Sequence, residues 1–286
     1  MNNAATASTQ ELSYQIDGEV AVITLDNPQR LNAMTLSLQL GLRELLARVA
    51  ADRQVRALLL TGNGRAFCVG ADLSSMGGGV GASGAAAAVG DAPADARSLG
   101  QRTADQMHAL SNRVISDLRA LPVPVVCAVN GATAGAGVGI ALAADIVLAA
   151  RSAYFYLPFM AKLGIVPDLG TTWFYQRLLG SGRAAALTLL GDRLPAEQAA
   201  SWGLVWQCVD DAALASDAMA LARRLAQLPA HAALETRRAY DAAAGHTLDQ
   251  QLGYEAERQR ELLDRPEFSE GVAAFLAKRP AQFAPR

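Results

Sequence analysis

The apolar positions change period several times along the chain. Between residues 12 and 25, Tyr14 and Ile16 alternate with polar neighbours, Asp17-Gly18 marks a turn, and an apolar run resumes from Val20 to Leu25. This predicts two strands joined by a tight hairpin. Pro28 breaks the run. Leu36, Leu40, Leu45, Leu46 and Val49 then recur at near-helical spacing behind Thr35, a helix N-cap by type and place. Val55 to Leu60 reads as a short buried strand ending in Thr61-Gly62-Asn63-Gly64. Strand, helix and strand in that order predict a parallel crossover unit. A helix is expected over 101–120, stopped by Pro122 and Pro124. A buried strand at Val125 to Val129, a glycine-rich turn over 131–139, a helix to Ala144 and a strand through Ile146 to Ala149 follow.

From residue 171 the pattern is helical: Thr171 to Leu179, Arg183 to Leu190, Ala196 to Trp202, Leu214 to Leu228, His231 to Ala244, Leu248 to Leu263 and Ser269 to Ala277. The division expected is a disordered tail over 1–10, an α/β core over 11–200 and a helical oligomerisation region over 201–286. Residues 74–100, dominated by Gly77-Gly78-Gly79 and by Ala85 to Ala88, read as a mobile low-complexity loop within the core.

Composition narrows the classes. Hydrophobic residues make up 51% of the 286, enough for a large core and an oligomer interface. The net charge is −2 and the only lysines are Lys162 and Lys278, so no basic face for nucleic acid is expected. Cys68, Cys127 and Cys208 are odd in number and far apart, which argues for buried free thiols in a reducing cytoplasm. The first ten residues lack the basic and apolar regions of a signal peptide, and the apolar stretch 131–150 is interrupted by four glycines and Asp145, so no membrane span is expected.

Several familiar chemistries are missing. Gly135-Ala136-Gly137-Val138-Gly139 follows a strand, but its third glycine comes one residue early for a dinucleotide fingerprint, and no acidic residue ends a strand about 20 residues later. There is no Gly-Lys-Ser/Thr and no G-x-S-x-G elbow, and His108, His231 and His246 stand at no metal-ligand spacing. What stands out is a pair of strand-to-glycine turns, 57–73 and 129–137. Their small residues let a ligand approach the backbone. A helix opening near Ala136 presents unpaired N–H groups. Two such turns face to face can hold one developing oxyanion.

These segments carry a resemblance. Leu25-Asp26-Asn27-Pro28-Gln29-Arg30-Leu31-Asn32-Ala33-Met34, the 57–73 turn, the 129–145 segment ending Ala143-Ala144-Asp145, the loop Leu163-Gly164-Ile165-Val166-Pro167-Asp168-Leu169-Gly170 and Glu197 to Val205 are similar, in order, to the motifs of the crotonase (enoyl-CoA hydratase/isomerase) family. The resemblance spans residues 12–283. It implies an α/β fold of repeated ββα units with a C-terminal helical trimerisation region, a homotrimer or hexamer, and an acyl-CoA thioester as substrate with no separate cofactor. It places the oxyanion donors at the N–H groups of Ala71 and Ala136. Arg30, Asn32, Ala33, Asp72 and Leu73 fall where the CoA path is lined. Phe275, Lys278 and Arg279 fall in a helix that reaches CoA in a neighbouring subunit.

The two glutamates of the family's hydratases align with Gly139 and Phe159, which transfer no proton. Asp168 is the one acid left in a catalytic position, either as a helix N-cap or as a general base. The resemblance favours the base: isomerases that shift a double bond, or open a ring in aromatic degradation, carry a single acid there. An enoyl-CoA isomerase in fatty-acid or aromatic-acid degradation is therefore expected. The alternatives are a hydratase with atypical acid/base residues, a CoA-ester hydrolase and a non-catalytic acyl-CoA-binding protein. Asp145 is expected to be structural and Asp72 to support its loop and the adenine site, with Tyr154 and Tyr156 packing near the acyl pocket.

Overall fold

The computed structural model describes residues 7–9, 11–71 and 97–284. Asp72, Leu73 and the expected loop up to residue 96 lie outside the described residues. Eleven strands are described: β1 (Ala7–Thr9), β2 (Leu12–Asp17), β3 (Val20–Leu25), β4 (Ala57–Gly62), β5 (Ala66–Cys68), β6 (Val125–Val129), β7 (Ala132–Ala134), β8 (Ile146–Ala150), β9 (Tyr154–Tyr156), β10 (Arg193–Pro195) and β11 (Gln207–Val209). They form two sheets, β1-β2-β3-β4-β6-β8-β11 and β10-β9-β7-β5. The larger is antiparallel through β1, β2 and β3 and parallel from β3 to β11.

The α-helices among the described residues are α1 (Leu36–Ala51), α2 (Leu99–Gln106), α3 (Asn112–Ala120), α4 (Ala136–Leu142), α5 (Thr171–Leu190), α6 (Ala196–Ser201), α7 (Leu214–Ala226), α8 (Ala232–Ala243), α9 (Leu248–Leu263) and α10 (Pro266–Leu276). A π-helical turn, Met107–Ser111, joins α2 to α3. Thr35 caps α1 as expected, its hydroxyl accepting from Leu38 N–H at 3.0 Å. α5 is kinked at Gly180, where the sequence divides it into two helices.

Three repeats of one motif build the centre. β4, β6 and β8 enter the large sheet, and each is followed within a few residues by β5, β7 or β9 of the small sheet, then by helical segments. β6 is buried throughout, as a parallel strand covered on both faces must be. β5, β7 and β9 are parallel neighbours, so the loops after them leave at one edge.

Four expectations are corrected. Ala7–Thr9 of the expected disordered tail pair with β2, in register Ala7 with Tyr14. The segment 131–139 is not one turn: it holds β7 and most of α4, with only Gly135 between them. Leu99 and Gly100, assigned to the loop, open α2, where Ser98 supplies an N-cap bond to Gln101 N–H at 3.1 Å. The section after residue 201 is also not purely helical: β11 extends the large sheet, and α7 lies against β3, β4, β6 and β8. Only beyond α7 do the helices leave the core. α9 has no buried residue and α10 buries only Ala274.

Candidate active site

The edge formed by the ends of β5, β7 and β9 opens on a cavity of about 290 Å³. Ala71 follows β5, Ala136 opens α4 after β7, and Asp168 lies beyond β9 and its π-helical turn Phe159–Leu163; all three line the cavity. Each comes from a different repeat.

The two backbone turns are held close. Gly70 has φ 83°, and a Cβ there would stand 2.9 Å from Ala136 N and 3.0 Å from Ala134 O. Glycine is needed for both the conformation and the approach. The Gly70 carbonyl accepts from Met34 N–H at 2.8 Å, and Gly135 N–H donates to Tyr156 O at 2.9 Å, so each turn is pinned by a neighbouring segment. Ala136 is the first residue of α4, where an N–H has no partner within its own helix. Neither the Ala71 N–H nor the Ala136 N–H donates to a protein acceptor among the described residues.

Asp168 is the only carboxylate lining the cavity among the described residues. Its Oδ1 is buried without a hydrogen-bond partner. Burial pushes its carboxyl up to about 6, opposed only by its own backbone N–H. A charged carboxylate loses water there and gains no compensating cation. Asp168 is not the helix cap. That place belongs to Gly170, in the left-handed region, with no side-chain cap bond. The Asp168 carbonyl does the local work instead, accepting from Thr171 N–H at 2.9 Å and Thr171 Oγ1 at 2.6 Å. Leu169 between them also has positive φ, 47°, although it is not glycine. Such strain is held in place by surrounding packing and clusters at functional sites; Leu169 is buried and lines the cavity.

Gly139 faces this loop. A Cβ there would lie 2.3 Å from Leu169 O, so no side chain fits without moving the backbone that carries Asp168. Phe159 is buried. Its ring would touch a Cβ at Gly135 at 3.6 Å. Neither position supplies a proton carrier.

The sequence model described as enoyl-CoA hydratase/isomerase matches residues 15–89 and 81–286. The chain belongs to the enoyl-CoA hydratase/isomerase family. It is 42% identical over 268 residues to the 1,2-epoxyphenylacetyl-CoA isomerase of Escherichia coli K12, covering 94% of this chain and 96% of that one. A protein of Rhodobacter capsulatus named a probable enoyl-CoA hydratase is 38% identical over 279 residues, with 98% and 100% covered. Among solved structures, an enoyl-CoA hydratase from Polaromonas sp. JS666 superposes with TM-score 0.83 at 29% identity, over 96% of this chain and 99% of that one.

Not every residue that the family motifs single out reaches the cavity. Arg30 lines it. Asn32 does not: it is fully buried, its Nδ2 donates to Asn63 O at 3.0 Å and Ala66 O at 2.9 Å, and its Oδ1 accepts from Asn27 N–H at 2.8 Å. It fastens the loop before α1 to β5. Ala33 is buried and also absent from the lining. Phe275 and Lys278 lie away from the cavity of their own chain, Phe275 83% exposed. Tyr154 and Tyr156 stay within the small sheet, with Arg193 stacked 4.5 Å over the Tyr154 ring. Asp145 is structural: Arg237 grips both its oxygens, at 2.6 and 2.5 Å, and Val125 N–H donates to it at 2.7 Å.

Sequence reasoning missed the far wall. Gln39 and Ser111 are buried, line the cavity and bond to each other at 2.7 Å. Thr35, Met107, Thr103 and Gln106 complete that side. Thr35 Oγ1 donates to the buried carboxylate of Glu11, which also accepts from Asn27 Nδ2 at 2.7 Å. The helical spacing of Thr35, Gln39 and the 103–111 segment was the available signal.

Among the described residues no cluster of side chains suited to a metal ion occurs, and no helix is long and apolar enough to cross a membrane.

Proposed function

We propose that this family member is an enoyl-CoA isomerase, moving a double bond or opening a ring in an acyl-CoA thioester. The observation that carries the reading is the single carboxylate of the cavity, Asp168, unpartnered at Oδ1. In this reading the thioester carbonyl sits between the Ala71 and Ala136 N–H groups. They hold the negative charge that appears on the oxygen as Asp168 removes a proton from C2. Asp168 then returns that proton at C4, so one carboxylate completes the cycle. A pKa near 6 leaves it largely ionised at neutral pH yet basic enough to accept the proton. The reading is supported by the two positions where the family's hydratases carry glutamates: Gly139 is closed by Leu169 and Phe159 carries no acid. Arg30 at the rim is the candidate partner for CoA phosphate, which its planar fork suits. The identity to an epoxyphenylacetyl-CoA isomerase supports the same choice.

The active form is a homotrimer or hexamer in the cytoplasm. In it Phe275 and Lys278 meet the CoA of a neighbouring subunit.

Asp168→Asn tests the mechanism. It keeps the shape but takes no proton, so isomerisation of 3-enoyl-CoA is expected to fall about 10²–10⁴-fold while CoA-ester affinity is retained. Wild-type turnover in the variant would rule the base out. Steady addition of water to 2-enoyl-CoA by the wild type would make the protein a hydratase.

A further inference from the structure

The wall formed by α1 and the π-helical turn is polar in a way the isomerisation does not require. Gln39 is 4% exposed and Ser111 8%. Gln39 Nε2 donates to Met34 O at 3.0 Å, which fixes the amide orientation and turns Oε1 toward Ser111 Oγ, 2.7 Å away. A carbonyl oxygen cannot donate, so the Ser111 hydroxyl proton is committed to Gln39. Ser111 Oγ is left with lone pairs that only accept, in a residue that lines the cavity. Gln39 Nε2 keeps a second hydrogen beyond its bond to Met34.

The pair stands in apolar packing: its neighbours along α1 and α3 are Leu38, Leu42, Val114 and Leu118, all fully buried. Ser111 is also presented by a π-helical turn whose first and last residues, Met107 and Ser111, both line the cavity. Such turns recur at functional sites. A plain hydrocarbon chain against this wall would bring the Ser111 lone pairs no donor, whereas a hydroxyl would.

We propose that the pocket is built for an oxygenated acyl group, whose hydroxyl donates to Ser111 Oγ, in preference to a hydrocarbon chain. Gln39 is the positioning residue that sets Ser111 as an acceptor. The proposal rests on reading the cavity as an acyl-CoA site.

Binding separates the two claims, because saturated thioesters cannot be isomerised. Calorimetry on the full-length protein would compare an unsubstituted saturated acyl-CoA with a series carrying a hydroxyl at successive carbons beyond C4. Wild type is expected to favour one hydroxylated chain by about tenfold, the worth of one well-placed hydrogen bond. In Ser111→Ala the ratio should fall toward one, and Ser111→Thr, which keeps the hydroxyl, should restore it. A structural role alone would move both affinities together and leave the ratio unchanged. A wild type without preference at any carbon, or an unchanged ratio in Ser111→Ala, overturns the proposal. Preference without isomerisation of 3-enoyl-CoA overturns only the isomerase reading; isomerisation without preference overturns only this one.

Discussion

The backbone carbonyl of Leu169 fills the space in which a side chain at Gly139 would begin, 2.3 Å from a Cβ built there. The helix that opens at Ala136 and the loop that carries Asp168 are thereby locked together without a hydrogen bond between side chains. Gly139→Ala is expected to push them apart. Overpacking of this kind costs about 1–3 kcal/mol, visible as a lower urea midpoint. Isomerase activity should fall with it, since Asp168 moves with Leu169. A variant as stable and as active as wild type would show that the contact is slack.

Asp168 costs stability when it ionises. Its carboxyl titrates near 6 in the fold against 3.8 in the unfolded chain. Below both values it is protonated in both states and costs nothing. As pH rises through this window the unfolded chain releases its proton first, so stability declines, and the deficit is constant above it. Asp168→Asn is therefore expected to unfold at higher denaturant than wild type at pH 8, by roughly 2–3 kcal/mol, with the gap closing toward pH 4. A gap that widens on acidification would contradict this assignment.

Activity should follow the same group in the opposite sense. Only ionised Asp168 takes a proton, so kcat/KM for 3-enoyl-CoA should drop about tenfold per pH unit well below 6. A profile flat from pH 7 to pH 5 would remove Asp168 as the base.

Arg237 is the structural counterpart of that unpaired acid. Its side chain is 5% exposed and donates to Asp145 and to the carbonyls of Arg119, Leu121 and Val123. It ties α8 to the end of α3 and the start of β6. Arg237→Ala leaves a carboxylate and three carbonyls without their partner. A loss of about 3–5 kcal/mol is expected, read as a lower thermal midpoint. Asp145→Ala should cost a similar amount, and the double variant less than the sum.

The outer helices expose Phe275, Leu276, Tyr240 and Leu248 at 74–83%. A contact between copies would take these side chains out of water. Light scattering should give a mass three or six times 29.9 kDa, and Phe275→Asp with Leu276→Asp should lower it. A wild-type mass of one chain at micromolar concentration would leave those side chains unexplained.

The legible parts of the molecule were those written locally in the sequence. The glycine turns announced themselves because close backbone approach demands small residues in a row. The long strands of the large sheet and the helices after residue 213 showed their periods plainly. The small sheet did not, since three residues such as Ala66–Cys68 or Ala132–Ala134 are too few for an alternation to register. Asn32 stands in a family motif along the expected CoA path, so the resemblance marks it as a binding residue; its three bonds show it to be a fastener. Ser111 stayed hidden for a related reason. A serine among polar neighbours on an amphipathic helix reads as surface until the π-helical turn shows which way it faces.

The alternation of strands between the two sheets has a consequence for how such a protein diversifies. Ala71, Ala136 and Asp168 belong to three separate repeats and meet only at one rim. On the proposed reading the anion cradle and the acid are separate parts that touch where Leu169 O abuts Gly139. A loop exchange after β9 that keeps this contact would rewrite the proton chemistry and leave the thioester grip as it was.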